Sequence, residues 1–331
     1  MRNLITDIAG VRVGHAEDHK IGSGVTAILF DSPAIAAADL RGGAPGTRES
    51  ALLDPAMTVE RIDAIALSGG SAFGLDAASG VQAWLAEQGR GFEVRGTRVP
   101  IVPAAIVFDL LNGGDKNWGR YPPYRELGYE AVRAAAVNFS LGSVGAGLGS
   151  RTVNLQGGIG SASAKMSDGI SVGALAVVNA AGSVTVGDSA QFWAAPFERD
   201  GEFGNLGFPA KMPNDALGFK LKGATGENTA LIVVITDATL TKSQTRRLAI
   251  MAQDGLARAI YPVHTPVDGD IVFAASTGQQ PLSNPVHGLA ALGALAADTV
   301  ARAIARGVYE ASALRFPGTP PAWRDKFGNQ N

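Results

Sequence analysis

The chain has 331 residues, 46% of them apolar, enough to bury a large core. A net charge of −2 leaves no basic footprint for nucleic acid or for an anionic membrane. With no cysteine, the sequence excludes disulfides, thiolate metal sites and a cysteine nucleophile.

The start, Met1-Arg2-Asn3-Leu4-Ile5-Thr6-Asp7, lacks an apolar signal core, and no run of 18 apolar residues occurs. A cytoplasmic protein is expected. Strands are predicted over 10–15, 24–30, 34–39, 64–68 and 103–108. A helix over 71–88 puts Phe73, Ala77, Val81 and Trp84 or Leu85 on one face, and a second is predicted over 124–136. Segments 170–179 and 183–186, separated by Ala180-Ala181-Gly182, read as a β-hairpin. The stretch 197–227 is rich in Gly, Pro and Asn and lacks a regular pattern. Irregular loops of that length are usually functional.

That loop ends in Gly223-Ala224-Thr225-Gly226-Glu227-Asn228 and runs straight into Thr229-Ala230-Leu231-Ile232-Val233-Val234-Ile235-Thr236-Asp237. The first segment reads as an exposed loop, the second as a strand apolar on both faces and therefore buried. A helix over 241–260 follows, opened by the capping-box pattern Thr241-Lys242-Ser243-Gln244. Then come a strand over 270–276 and a helix over 285–311, striped by Leu289, Leu292, Leu295, Val300 and Ile304. The whole reads as α/β, with layered mixed sheets covered by helices and no linker that would split the chain into domains. Glycine, at 43 residues, is close to twice the usual share of roughly 7% and is spread between apolar runs, which argues for many tight turns.

A threonine at a loop–strand junction has the geometry of an N-terminal nucleophile. If the chain breaks before Thr229, a hydroxyl and a free α-amine appear on one residue, and the amine can be the hydroxyl's own base. An ordinary strand-opening threonine fits the junction as well. The other nucleophile motifs fail. Gly69-Gly70-Ser71-Ala72-Phe73-Gly74 is one residue too long for a Ser hydrolase elbow. No Walker A or dinucleotide fingerprint occurs, and His15, His19, His264 and His287 form no zinc motif. His264 reads as a structural hydrogen-bonding residue rather than a base.

Three further places are candidates. Lys165, in a small-residue stretch before a strand, is either solvated or an oxyanion stabiliser. Asn179, closing a strand, is either a turn former or an amide donor to an oxyanion. Asp268 and Asp270, alternate residues at a strand entrance, share a face. They form a polar turn or a carboxylate pair that holds the Thr229 ammonium or Lys165.

These residues carry a resemblance. The chain resembles the DmpA-like family of self-processing hydrolases, which includes L-aminopeptidase/D-amidase-esterases, β-peptidyl aminopeptidases and 6-aminohexanoate (nylon) oligomer hydrolases. The likeness runs through Ile5-Thr6-Asp7-Ile8-Ala9-Gly10-Val11, Asp39-Leu40-Arg41-Gly42-Gly43-Ala44-Pro45-Gly46-Thr47, Leu67-Ser68-Gly69-Gly70-Ser71 and His264-Thr265-Pro266-Val267-Asp268-Gly269-Asp270. It implies an αββα sandwich, cleavage between Asn228 and Thr229 into an α chain 1–228 and a β chain 229–331, and a homo-oligomer, a tetramer of αβ units. It also implies that Thr229, Lys165, Asn179, Asp268 and Asp270 match the active-site positions of the nylon-oligomer branch. Phe108 stands where both branches have an active-site tyrosine, so a phenol that could donate to the oxyanion or contact substrate is missing. No cofactor or metal is implied; the partner is a small amide or peptide. The competing readings are an acyltransferase of the ornithine acetyltransferase type, a Ser hydrolase using Ser71, and a non-catalytic binding protein.

Overall fold

The computed structural model describes residues 1–222 and 228–328. Residues 172–178 and 230–235 send alternate side chains into two different cores, which sets the architecture. Val172, Ala174, Ala176 and Val178 meet Ala230, Ile232 and Val234 on one side; Leu175 and Val177 meet Leu231, Val233 and Ile235 on the other. Strands apolar on both faces are buried on both faces.

The strands are β1 (Val11–Asp18), β2 (Ser23–Leu40), β3 (Thr47–Arg48), β4 (Arg61–Ser68), β5 (Phe92–Val94), β6 (Thr97–Val99), β7 (Ala104–Ile106), β8 (Ile159–Lys165), β9 (Ser171–Asn179), β10 (Thr229–Thr239) and β11 (Ile271–Pro281). The helices are α1 (Ala77–Glu87), α2 (Tyr124–Arg133), α3 (Lys242–Ala259), α4 (His287–Tyr309) and α5 (Trp323–Phe327). One mixed sheet runs β3-β7-β4-β2-β11-β10-β9-β8, with β1 added against β2; β5 and β6 form a separate hairpin. β10 is antiparallel to β9 and parallel to β11.

The expected strands over 24–30 and 34–39 are a single long strand, β2. Its residues 25–29 and, past a register break between Leu29 and Ala34, residues 34 and 35 pair with β4, while residues 35–40 pair with β11. The sheet turns there and folds back over itself. Helices α3 and α4 cover the β8–β11 half through Leu248, Leu256, Leu292 and Val300. Helices α1 and α2 cover the β2–β4 half through Val81, Leu85, Tyr124 and Val132. The core between the halves joins Val13, Ile28, Phe30, Ile65 and Leu67 to Leu175, Leu231, Val233 and Phe273. The four layers are αββα, as the resemblance implies, with both β layers cut from one sheet.

The predicted hairpin 170–179/183–186 does not form. Both edges of β9 are taken, by β8 and β10, so residues 183–186 make only isolated bridges, Ser183 to Tyr261 and Thr185 to Phe192. Helix α3 starts as expected, with the Thr241 side chain accepting from the Gln244 amide at 3.2 Å. Helix α4 is long and apolar enough, by length and composition, to cross a membrane; 67% of that stretch is buried inside this fold.

Candidate active site

Thr229 is the first residue of β10 and shares the parity of Leu231, Val233 and Ile235, so its side chain belongs to the layer between the two sheet halves. It is buried, with 3% of its surface exposed. Across the antiparallel ladder it faces Asn179, the last residue of β9. On the other side Asn228 bridges to Asp268, and the Gly269 N–H donates to the Asn228 carbonyl at 2.9 Å. The Thr229 hydroxyl contacts that same carbonyl oxygen. A Cβ on Gly269 would lie 2.6 Å from Thr229 Oγ1, so the close approach needs glycine. Of the expected exposed loop 223–228, residues 223–227 lie outside the described residues, and Asn228 is buried, with 2% of its surface exposed.

The loop before β11 supplies both carboxylates, each almost fully buried. Asp270 accepts from the Ala230 N–H at 2.7 Å through one oxygen. Through the other it meets the His264 N–H at 3.2 Å and His264 Nδ1 at 2.9 Å. Asp268 accepts from the Thr265 N–H at 2.8 Å, the Thr265 hydroxyl at 2.7 Å and the Ala181 N–H at 3.3 Å. Burial pushes the Asp268 carboxyl up, and the nearby charge of Asp270 adds to the shift. The Gly42 N–H donates to the Asp270 carbonyl at 3.2 Å and the Ala44 N–H to the Asp268 carbonyl at 2.7 Å. The segment that follows β2 therefore holds this loop in place.

Asn179 is fully buried. Its amide donates to the Phe108 carbonyl at 3.1 Å, and its Oδ1 accepts from the Arg151 N–H at 3.1 Å and from Lys222 Nζ at 2.8 Å. Lys222 Nζ also donates to the carbonyls of Arg151 at 2.7 Å and Asn179 at 3.1 Å. Phe108 is thus beside the site through its backbone, just past β7. Lys165 is not. It ends β8, exposed, opposite Ser171 at the far end of β9 from Asn179. Eight residue steps along the strand separate Ser171 from Asn179, roughly 27 Å at the usual rise. Lys222 is the lysine that the fold brings to Asn179. The sequence signal for it was only a lone lysine at the head of the segment leading to Thr229.

Ser71 has a left-handed backbone, φ 52°, after β4, and donates its N–H to the Val107 carbonyl at 3.0 Å. Among the described residues no histidine hydrogen-bonds to it. Its turn is pinned by Asp109, which is buried and accepts from Ser23 Oγ at 2.6 Å and from the Gly70 N–H at 2.7 Å. Burial pushes the Asp109 carboxyl up despite those bonds. Among the described residues no cluster of three or more acidic or histidine side chains is arranged to hold a metal. A cavity of about 330 Å³ lies against Arg151, Thr152, Lys222 and Pro320, and Asn179 does not line it. A larger one, about 560 Å³, sits at Asp188, Tyr309, Trp323 and Phe327 and contains none of these site residues.

Residues 3–319 match the profile of peptidase family S58. The chain belongs to peptidase family S58. This S58 chain is 43% identical to an uncharacterized aminopeptidase of Mycobacterium tuberculosis (strain ATCC 25618 / H37Rv), over 98% of each chain. It is 26% identical to a 6-aminohexanoate-oligomer endohydrolase of Kocuria sp. (strain KY2), covering 82% of this chain and 74% of that one. In fold it is similar to the L-aminopeptidase D-Ala-esterase/amidase of Ochrobactrum anthropi, described as a variant of the Ntn hydrolase fold. The TM-score is 0.73 at 21% identity, covering 99% of this chain and 94% of that chain. The S58 chain is an amidohydrolase.

Proposed function

We propose that this S58 chain cuts itself between Asn228 and Thr229 and then hydrolyses small amides through a Thr229 acyl-enzyme. The observation that carries the reading is the meeting of three groups at one bond. The Thr229 hydroxyl lies on the Asn228 carbonyl, and the Gly269 N–H already donates to that carbonyl oxygen at 2.9 Å. In maturation Thr229 Oγ attacks the Asn228 carbonyl carbon, and Gly269 stabilises the oxyanion, with Asn179 as a second donor. The acyl group shifts from nitrogen to oxygen, and water hydrolyses the ester to an Asn228 carboxylate and a free Thr229 amine.

In turnover the amine takes the Oγ proton, the hydroxyl attacks the substrate amide, and the amine returns the proton to the leaving nitrogen. Water then releases the acid. An α-amine with a reference pKa of ~7.7–8.0 suits a base working near neutral pH. Asp268 and Asp270 supply negative charge beside the new ammonium, and Lys222 orients Asn179. Short peptides with a free N-terminus or 6-aminohexanoate oligomers are the substrate classes, taken from the named relatives. Action as a cytoplasmic tetramer of αβ units, without nucleic acid or membrane partners, belongs to the same proposal; the family resemblance supports the assembly, and the net charge of −2 supports the lack of such partners.

The test is a pair of variants assayed on a panel of such amides. Thr229→Ala gives an uncut, inactive chain. Thr229→Ser keeps some processing and turnover, because a primary hydroxyl replaces the secondary one. A cut and active Thr229→Ala protein ends the reading.

A further inference from the structure

His264 has no part in that mechanism, yet its geometry is unusual. Its backbone is left-handed, φ 54°, a region uncommon outside glycine in which His, like Asn and Asp, is enriched. The conformation lets its backbone N–H and its ring Nδ1 converge on one oxygen of Asp270, at 3.2 and 2.9 Å. The other Asp270 oxygen takes the N–H of Ala230, the residue after the nucleophile, at 2.7 Å. Nδ1 therefore carries a proton in either charge state of the ring. The ring is 22% exposed, and among the described residues no hydrogen bond reaches Nε2. Protonation at Nε2 thus adds a positive charge beside Asp270 without breaking a contact.

We infer that His264 is a positioning residue for the Thr229 nucleophile, acting through Asp270, and that its ring charge sets how far into acid the site stays active; this rests on the function proposed above. Asp268 and Asp270 are both buried, and the charge of Asp270 adds to the burial that pushes the Asp268 carboxyl up. An imidazolium on Asp270 offsets that charge. It also opposes the charged form of the Thr229 amine, keeping the amine available as a base. Both effects extend activity toward lower pH. The other charged groups nearby are already occupied. Arg41 is drawn to Asp39 at 2.7 Å, and Lys222 is held on Asn179 at 2.8 Å.

His264→Asn separates charge from scaffold. Asparagine tolerates the left-handed backbone and keeps an N–H donor, but it cannot become positive. The experiment measures the extent of cutting by denaturing mass and kcat/KM on an amide substrate from about pH 4 to 9. The expected result is a cut variant whose plateau stays within about threefold of wild type and whose acid limb moves to higher pH by about 0.5–1 unit. An unmoved limb overturns the inference, and an equal loss at every pH reduces His264 to a structural prop.

An uncut wild type overturns the nucleophile reading itself, and this inference with it, so the two failures are told apart.

Discussion

Gly269 has two roles at the residue scale. Its N–H is bonded to the Asn228 carbonyl, and its missing side chain leaves the space that Thr229 Oγ occupies. Gly269→Ala places a methyl 2.6 Å from that oxygen and must displace the hydroxyl or the loop. Gly269 is not in the left-handed region, so its φ admits alanine, but the methyl also lies 2.9 Å from the Ala44 carbonyl oxygen. The expected outcome is a folded chain, less stable than wild type, whose self-cutting slows by about 10²-fold, the scale of losing one oxyanion donor, because the methyl pushes the hydroxyl or the donating loop off the Asn228 carbonyl. Denaturing mass over time and a thermal melt check it; cutting at the wild-type rate contradicts it. At this scale Thr229, Asn179, Asp268 and Asp270 were legible as candidates, which the fold brings together, because each is a polar residue at or just outside the end of an apolar strand. The lysine was not. Lys165 and Lys222 both flank strands, and only the antiparallel register of β8 on β9 shows that Lys165 is at the wrong end. His264 was read correctly as a hydrogen-bonding residue, but its partner, Asp270, follows from a backbone twist that no pattern announces.

At the scale of elements, the turn after β4 is tied to the segment after β7 by Asp109, one residue past Phe108, whose carbonyl holds Asn179. Burial raises the Asp109 carboxyl above its ordinary range, so the folded state binds that proton more tightly than the unfolded chain does. The stability this carboxyl contributes is complete below the ordinary unfolded value, near ~3.9, and is lost as pH rises through the raised folded value. Asp109→Asn mimics the protonated form. Its carbonyl can still accept from Gly70, and its amide can donate to Ser23. The variant's stability relative to wild type therefore increases as pH rises above the unfolded value, read as the difference of denaturant midpoints. A difference that does not change with pH contradicts this.

The elements themselves were legible where periodicity was strong, as in α3, α4 and β10. β8 was not. Ile159-Gly160-Ser161-Ala162-Ser163-Ala164-Lys165 has small residues in place of the β-branched ones that mark strands. The reason is α4, which lies so close that a Cβ on Gly160 would come 1.8 Å from the Ala303 carbonyl oxygen. Without β8 in view, β9 lacked its partner, and residues 183–186 were predicted to fill the place.

At the scale of the whole molecule, the proposed cut falls inside the sheet. β10 lies between β9, which precedes the cut, and β11, which follows it, so the two pieces share one ladder and one core. A buried ion network adds to this. Arg302, on α4, pairs with Glu202 at 2.5 Å, and the two side chains are 2% and 6% exposed. Arg302 also donates to the Ser163 carbonyl at 3.0 Å and to Asn3 Oδ1 at 2.8 Å. All three partners lie in residues 1–228. Among the described residues, Arg302→Leu leaves the buried Glu202 with Arg306, 3.7 Å away, as its remaining ionic partner. Removing one member of a buried pair costs about 3–5 kcal/mol. The cut variant is therefore expected to lose that much stability and to separate into its pieces at lower denaturant than cut wild type. Equal midpoints would show that the network does not hold the pieces together. The αββα layering was legible only through the family resemblance, because the fold-back depends on the register break inside β2, and Leu29-Phe30-Asp31-Ser32-Pro33-Ala34 reads locally as a turn between two strands.

The most direct test of the central claim is the intact mass of the wild-type chain, purified and then denatured. The account predicts two species, whose masses match residues 1–228 and 229–331, with the smaller beginning at Thr229. Under native conditions they travel together as one particle. A single species of 33.9 kDa that stays whole through long incubation contradicts the Thr229 nucleophile and everything built on it.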